Sequence, residues 1–247
     1  MARLLDDALS EYLEVDSAAI TALPFSVSCW FNTDIATANE TLFWIGDKDA
    51  TNTYSVLVAD GAAVGDPISA FSRDATTTSG ARATSAFSTN TWQHAAGVWT
   101  STTSRAAYLS GGNKGTDTTS VTEPPEDRMS IGRHGDSTPS TYWSGSIAEL
   151  GVWDVALTDG EIAILGLGFS PLFVRPTSLV LYVPIIGRSS PEIDRVGALN
   201  FTLTGTTNSA HPRIIYPSSS QMRRFTTAVA EAAAAQGAWK SLLGVGL

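Results

Sequence analysis

Two short acidic runs, Glu14-Val-Asp16 and Glu192-Ile-Asp194, each place carboxylates two residues apart. On an extended chain such residues share a face. Glycoside hydrolysis needs two carboxyl groups at a set separation, one as nucleophile or base and one as proton donor. The alternative is that both runs are turn or edge charges. A second group, Asp47, Asp49 and Asn52 in GDKDATNT, offers hard oxygens for calcium; it reads equally as a polar turn shaped by its aspartates. Tyr142 and Trp143, in STYWSG, are candidates for an aromatic platform against a sugar, whereas Trp30, Trp92, Trp99 and Trp153 fall in alternating runs and read as sheet packing. His94, His134 and His211 have no metal-ligand spacing. No Gly-x-Ser-x-Gly elbow is present, and SGGNKG lacks the ending of a phosphate loop and reads as a hairpin turn. Cys29 reads as a small core residue.

The elements that must position these groups are mostly strands. In FSVSCWF, Phe25, Val27, Cys29 and Phe31 alternate with polar neighbours, as in a half-buried strand. Similar runs start at Tyr54, Trp92, Arg105, Met129, Ser178 and Ala198, separated by turn-rich pieces and without a fixed repeat. From Ile147 to Trp153 the pattern puts Ala148, Leu150 and Val152 on a covered face, opposite Glu149, Gly151 and Trp153. Thr158-Asp-Gly-Glu161 then forms a capping box, predicting a short helix from Asp159 to Leu165 with Gly166 and Gly168 offering an exit. Many strands and little helix predict an all-β fold, a two-sheet antiparallel jelly-roll sandwich over residues 1–217. After Pro217 the texture turns alanine-rich, so residues 218–247 read as a helical or extended tail that becomes ordered against a neighbour.

Composition narrows the partners. The chain has 247 residues, 43% of them hydrophobic and 16% charged, with a net charge of −9, which suits one well-filled sandwich and opposes a nucleic-acid groove. From Gly205 onward Arg213, Arg223, Arg224 and Lys240 face Glu231 alone, a net +3 against −12 on the rest. A basic tail carrying Trp239 and Leu242 beside Arg223 and Arg224 can dock on an acidic partner or a sister subunit, and a trimer is expected; the alternative is a solvated helix end. One cysteine permits no internal disulfide, and MARLLDDALSEYLEV lacks the apolar centre of a signal peptide. No apolar run is long enough for a membrane span, so synthesis in a cytoplasm is expected.

Three segments, FSVSCWF, WQHAAGVW with AAYLSGG, and SGSIAELGVWDVALTDGEI, together resemble the laminin-G and pentraxin-like branch of the concanavalin A-like lectin/glucanase jelly rolls. The resemblance spans Glu11 to Pro217. LVLYVPIIG and ALNFTLTG resemble strands that in such domains often precede the first strand, so the order looks permuted. Glucanases of similar fold carry Glu-x-Asp-x-x-Glu on one strand; Ala19 and Gly197 stand where the second glutamate belongs, which opposes hydrolysis. Asp136 lies in the loop IGRHGD, similar to a calcium-bearing loop of pentraxins, but Arg133 and His134 replace ligands there. The ending TLTGTTNSAHPRIIYP resembles jelly-roll proteins of tailed-bacteriophage virions. The resemblance therefore implies a non-enzymatic virion structural protein, such as a capsid decoration, with surface glycans and another virion protein as partners. A carbohydrate-binding adhesion module is the alternative, and a glycan-cleaving enzyme the third reading.

Overall fold

The computed structural model describes residues 1–122 and 126–218. In chain order the strands are β1 (Ala2–Leu5), β2 (Tyr12–Val15), β3 (Phe25–Thr33), β4 (Asn39–Gly46), β5 (Tyr54–Asp60), β6 (Pro67–Arg73), β7 (Thr78–Ala86), β8 (Gln93–Ser101), β9 (Ser104–Leu109), β10 (Gly112–Asp117), β11 (Arg128–Ile131), β12 (Gly145–Trp153), β13 (Leu179–Val183), β14 (Thr202–Thr204) and β15 (Thr207–Ser209); helix α1 (Asp159–Gly166) follows β12. They form two antiparallel sheets, a jelly-roll sandwich. One runs β10-β9-β8-β3-β12-β1-β15 with β13 also beside β12, the other β14-β2-β11-β4-β5-β6-β7. Between them lie Phe25, Val27, Cys29 and Phe31 of β3, Phe43 and Ile45 of β4, and Leu57 of β5. The ring of Trp99 stacks on Phe25 at 4.7 Å. Strands β1 and β15 pair directly, so the ends of the described sandwich are neighbours, which is the condition that makes a permuted strand order cheap.

Strand β12 departs from the simple alternation. All of its residues are buried, and a bulge places Glu149 at φ 57°. The bulge shifts the phase, so Ile147, not Ala148, joins Leu150 and Val152 in the inter-sheet core. The other face is covered as well, because Trp153 packs with Ile162 and Leu165 of α1, Tyr108 and Tyr182. SGGNKG is likewise only partly a turn: Gly112 already begins β10, which pairs with β9.

Helix α1 starts as its sequence dictates. The Thr158 side chain accepts from Glu161 N, and Glu161 Oε2 accepts from Thr158 N at 2.8 Å. After the helix Gly168 takes φ 90°, a left-handed step that glycine makes without Cβ strain. The tail residues Arg223, Arg224, Trp239 and Leu242 lie outside the described residues. Among those described, no helix is long and apolar enough to cross a membrane.

Glu40, on β4, is buried with both oxygens satisfied: Ser144 N donates to Oε1 at 2.7 Å and Thr33 Oγ1 to Oε2 at 2.8 Å. Burial, reinforced by the charges of Asp7 and Asp34, pushes its carboxyl up to about 7 despite those two bonds. In the unfolded chain the group ionises near pH 4.5. Folding therefore bears no cost from Glu40 below that pH, and stability falls as pH rises from there through 7. Glu40→Gln keeps an acceptor for Ser144 and removes the charge. It should match the parent in urea unfolding at about pH 4.5 and exceed it by roughly 1–2 kcal/mol at about pH 8. Thr158→Ala, which removes the N-cap, should cost about 1 kcal/mol in the same measurement at any of these pH values.

Candidate functional site

Alternation in the seven-stranded sheet sends one set of side chains away from the core. Glu14, Ser130, Trp44, Val56 and Phe71 stand opposite one another across β2, β11, β4, β5 and β6. The next row holds Arg128, Gly46, Tyr54 and Arg73. The connection from β11 to β12, residues 132–144, folds over this outer face. Arg128 Nη1 donates to Gly135 O at 3.0 Å, His134 lies against Tyr54 with ring centres 4.8 Å apart, and Thr141 Oγ1 meets Thr41 Oγ1 at 2.6 Å. Trp44 is fully buried beneath it. Burial, with Arg73 nearby, holds His134 down to about 4, so it is neutral at physiological pH.

At the β2 edge the same connection builds a polar and aromatic surface. The Arg133 guanidinium lies 3.4 Å from the centre of the Tyr12 ring and donates through Nη2 to Glu14 Oε2 at 2.5 Å. Tyr142 stands beside Tyr12, ring centres 6.4 Å apart and inclined at 51°, and both tyrosines are half-buried. Trp143 is not part of this surface. It is fully buried in the inter-sheet core, edge-on to Phe31 at 5.8 Å, because the chain dives between the sheets immediately after Tyr142. The second aromatic is Tyr12, whose outward position was legible in the alternation of Leu13 and Val15 with Tyr12 and Glu14. Two inclined rings, a carboxylate and a guanidinium are the groups that bind the C–H face and hydroxyls of a sugar.

The Glu-x-Asp runs do not make a catalytic pair here. Glu14 pairs with Arg133, and Asp16 accepts from Arg128 Nε at 2.6 Å, an interaction that holds its carboxyl below the usual range. Glu192 and Asp194 are not exposed edge charges, since both are buried, and Asp194 shapes a turn. Glu192 Oε1 accepts from Arg3 Nε at 2.7 Å and from Gly187 N at 2.9 Å. Asp194 accepts four backbone amides, from Tyr182, Val196, Gly197 and Leu199, and so organises the loop after β13. His94 is buried on the other sheet with Nε2 at 2.8 Å from Ser28 Oγ, and burial holds it down to about 3.

The calcium donor set separates. Asp47 and Asp49 are joined by Asp127, with one oxygen of each within 4.8 Å of the others. However, Lys48 Nζ already stands 2.9 Å from Asp127 Oδ2 and 3.7 Å from Asp49 Oδ2. Asp47 Oδ1 accepts from Asp49 N at 2.9 Å, as a polar turn requires. An ammonium beside Asp49 and Asp127 supplies the charge that a cation would bring to them, so the residues do not fit a calcium ion. Asp136 does not join them. It is buried under the 132–144 connection, accepts from Thr138 N at 2.9 Å, and its carboxyl is raised by burial.

No curated protein sequence matches the chain. Among solved structures, a candidate carbohydrate-binding protein from Bacteroides ovatus is similar with a TM-score of 0.60 at 21% identity over 87% of this chain, which spans 61% of that protein. The CBM40 of the Ruminococcus gnavus IT-sialidase, solved with α2,3-sialyllactose, is similar with a TM-score of 0.52 at 13% identity, covering 67% of this chain and 97% of that one. The NanB sialidase of Streptococcus pneumoniae gives 0.51 at 16% identity over 66% of this chain and 27% of its own. At such identities these likenesses describe the fold. The sequence profile of the Laminin_G_3 family matches residues 6–163, and the chain belongs to the concanavalin A-like lectin/glucanases superfamily.

Proposed function

We propose that this protein is a non-catalytic carbohydrate-binding module that holds a glycan on the Tyr12–Arg133–Tyr142 surface. The observation that carries the reading is the half-exposed tyrosine pair fixed by an arginine that is itself pinned to Glu14. A pyranose laid on Tyr142 buries its C–H face, while hydroxyls reach Glu14, which the buried Arg133 holds in place. The solved relatives named for carbohydrate binding support the ligand class, although the chain spans only about three fifths of the Bacteroides ovatus protein. Absence of hydrolysis follows from carboxylates tied to arginines, which are poorly placed to exchange a proton with a leaving group.

A glycan array followed by titration calorimetry tests this. The parent should bind at least one array glycan, and Tyr12→Ala and Tyr142→Ala should each weaken it about tenfold, the worth of one aromatic contact. Thermal unfolding of both variants should stay near that of the parent, and the glycan should be recovered uncleaved. Binding to no glycan, or undiminished binding in both variants, rejects the proposal.

A place on a virion is the second reading, supported by the net +3 of the segment from Gly205 onward and by the resemblance of the ending to phage proteins. In that reading the tail, with Arg223, Arg224, Trp239 and Leu242, joins sister subunits into a trimer on a capsid or other virion protein. Deletion of residues 219–247 should leave the sandwich folded and convert an oligomer to a monomer in light scattering. An unchanged mass per particle would remove the tail from that role.

A further inference from the structure

We infer that the opposite sheet carries a second sugar-binding site, independent of the tyrosine surface, in which Lys114 and Asp159 clasp a vicinal diol. The site is an open cleft of about 620 Å³ between the outer face of β8, β9 and β10 and the start of α1. Its floor is apolar: Val98, Ala106 and Leu157. At one end Asp159 Oδ1 accepts from both Tyr108 Oη and Lys114 Nζ, each at 2.8 Å, and the ammonium lies 5.5 Å from the Tyr108 ring centre. Both of those bonds use the same carboxylate oxygen. Asp159 Oδ2 therefore has no partner among the described residues, and Lys114, which also lies beside the Tyr108 hydroxyl, keeps at least one further N–H donor.

That leaves one acceptor and one donor side by side at the mouth of a cleft with an apolar floor. Two neighbouring hydroxyls of a pyranose fit this pair, one donating to Oδ2 and the other accepting from Nζ, while the ring's C–H face covers the floor. A lone carboxylate or phosphate is disfavoured by Asp159, and an apolar ligand would leave both charges without their water. The far end of the cleft presents the hydroxyls of Thr100, Ser104 and Thr116, none with a side-chain hydrogen bond among the described residues. The interaction with Lys114 and Tyr108 lowers the Asp159 carboxyl and that with Asp159 raises the Lys114 ammonium, so both groups stay charged across the neutral range.

The inference shares its ligand class with the proposed function but none of its residues. The two sites lie on the outer faces of different sheets, with the core between them, so one molecule can hold two glycan branches and gain avidity without new contacts.

Amide chemical-shift mapping on the full chain tests it, with the methyl glycosides of β-D-galactose, β-D-glucose and α-D-mannose as probes, which present different vicinal diols. At least one should shift amides in 114–116 and 156–160. Lys114→Met, which keeps the apolar stem, and Asp159→Asn, which keeps an acceptor for Tyr108, should each raise the dissociation constant read from those amides at least tenfold while amides near Tyr12 and Tyr142 respond as in the parent. If no probe moves 114–116 and 156–160, or if both variants bind there as the parent does, the second site is wrong. If those amides respond while those near Tyr12 and Tyr142 stay still for every probe, the second site stands and the tyrosine surface is the reading in difficulty.

Discussion

Burial of β12 on both faces is the constraint on which the rest of the architecture depends. A strand with one face on the inter-sheet core and the other under the segments that follow it, including Pro171, Val174 and Tyr216, has no exposed side, so every polar group on it needs a protein partner. Glu149 is the demanding case. Its carboxylate accepts from Tyr182 Oη at 2.8 Å and from Tyr216 Oη at 2.7 Å, and His211 Nε2 lies 3.3 Å away. Burial works against protonation of His211, but its bond to Glu149 holds its basicity above the ordinary value. Satisfying this one acid fixes the path of the segment from His211 to Tyr216 over the sheet. Its bulge also divides the edge of β12, so that β1 pairs with Gly145 to Ile147 and β13 with Leu150 to Trp153.

The same demand explains which parts were legible in the sequence. Strand β3 shows clean alternation because small polar Ser26 and Ser28 interleave with Phe25, Val27 and Cys29, although all five are buried, and α1 shows its capping box because that bond is local. Strand β4 hides its period: Leu42, Phe43, Trp44 and Ile45 are all buried because the 132–144 connection covers the outward residues. Strand β10, Gly112–Asp117, carries no large apolar residue and its start reads as a turn. The phase change in β12 was not legible, since nothing in Ala148-Glu149-Leu150 announces a left-handed glutamate.

For the proposed binding surface, sequence reasoning found Tyr142 and missed Tyr12, and the cause is distance along the chain. Tyr12 and Tyr142 meet only because β2 pairs with β11 and the following connection returns across the sheet edge. Trp143 was misplaced because neighbours in a connecting segment need not share a face: one tyrosine stays outside, and the next residue enters the core as the chain passes between sheets. Glu192 is similar, its partner Arg3 being 189 positions away. Long-range pairs of this kind leave no spacing to read.

Charge pairing then decides what the outer face can do. The chain is strongly acidic overall, yet this face gathers Arg73, Arg82, Arg128 and Arg133 against Glu14, Asp16 and Asp60, with Arg73 alone lacking an ion pair among the described residues. The carboxylate of Glu14, which bridges to the buried guanidinium of Arg133, is costly to move, because withdrawing it leaves the arginine without its counter-charge. Such a surface is rigid and locally close to neutral. In the proposed reading it meets hydroxyls and C–H faces without rearrangement. The interactions that hold the 132–144 connection down, Arg128 to Gly135 O and Arg133 to Glu14, thus involve the same arginines that tie up the acids Glu14 and Asp16 of this face.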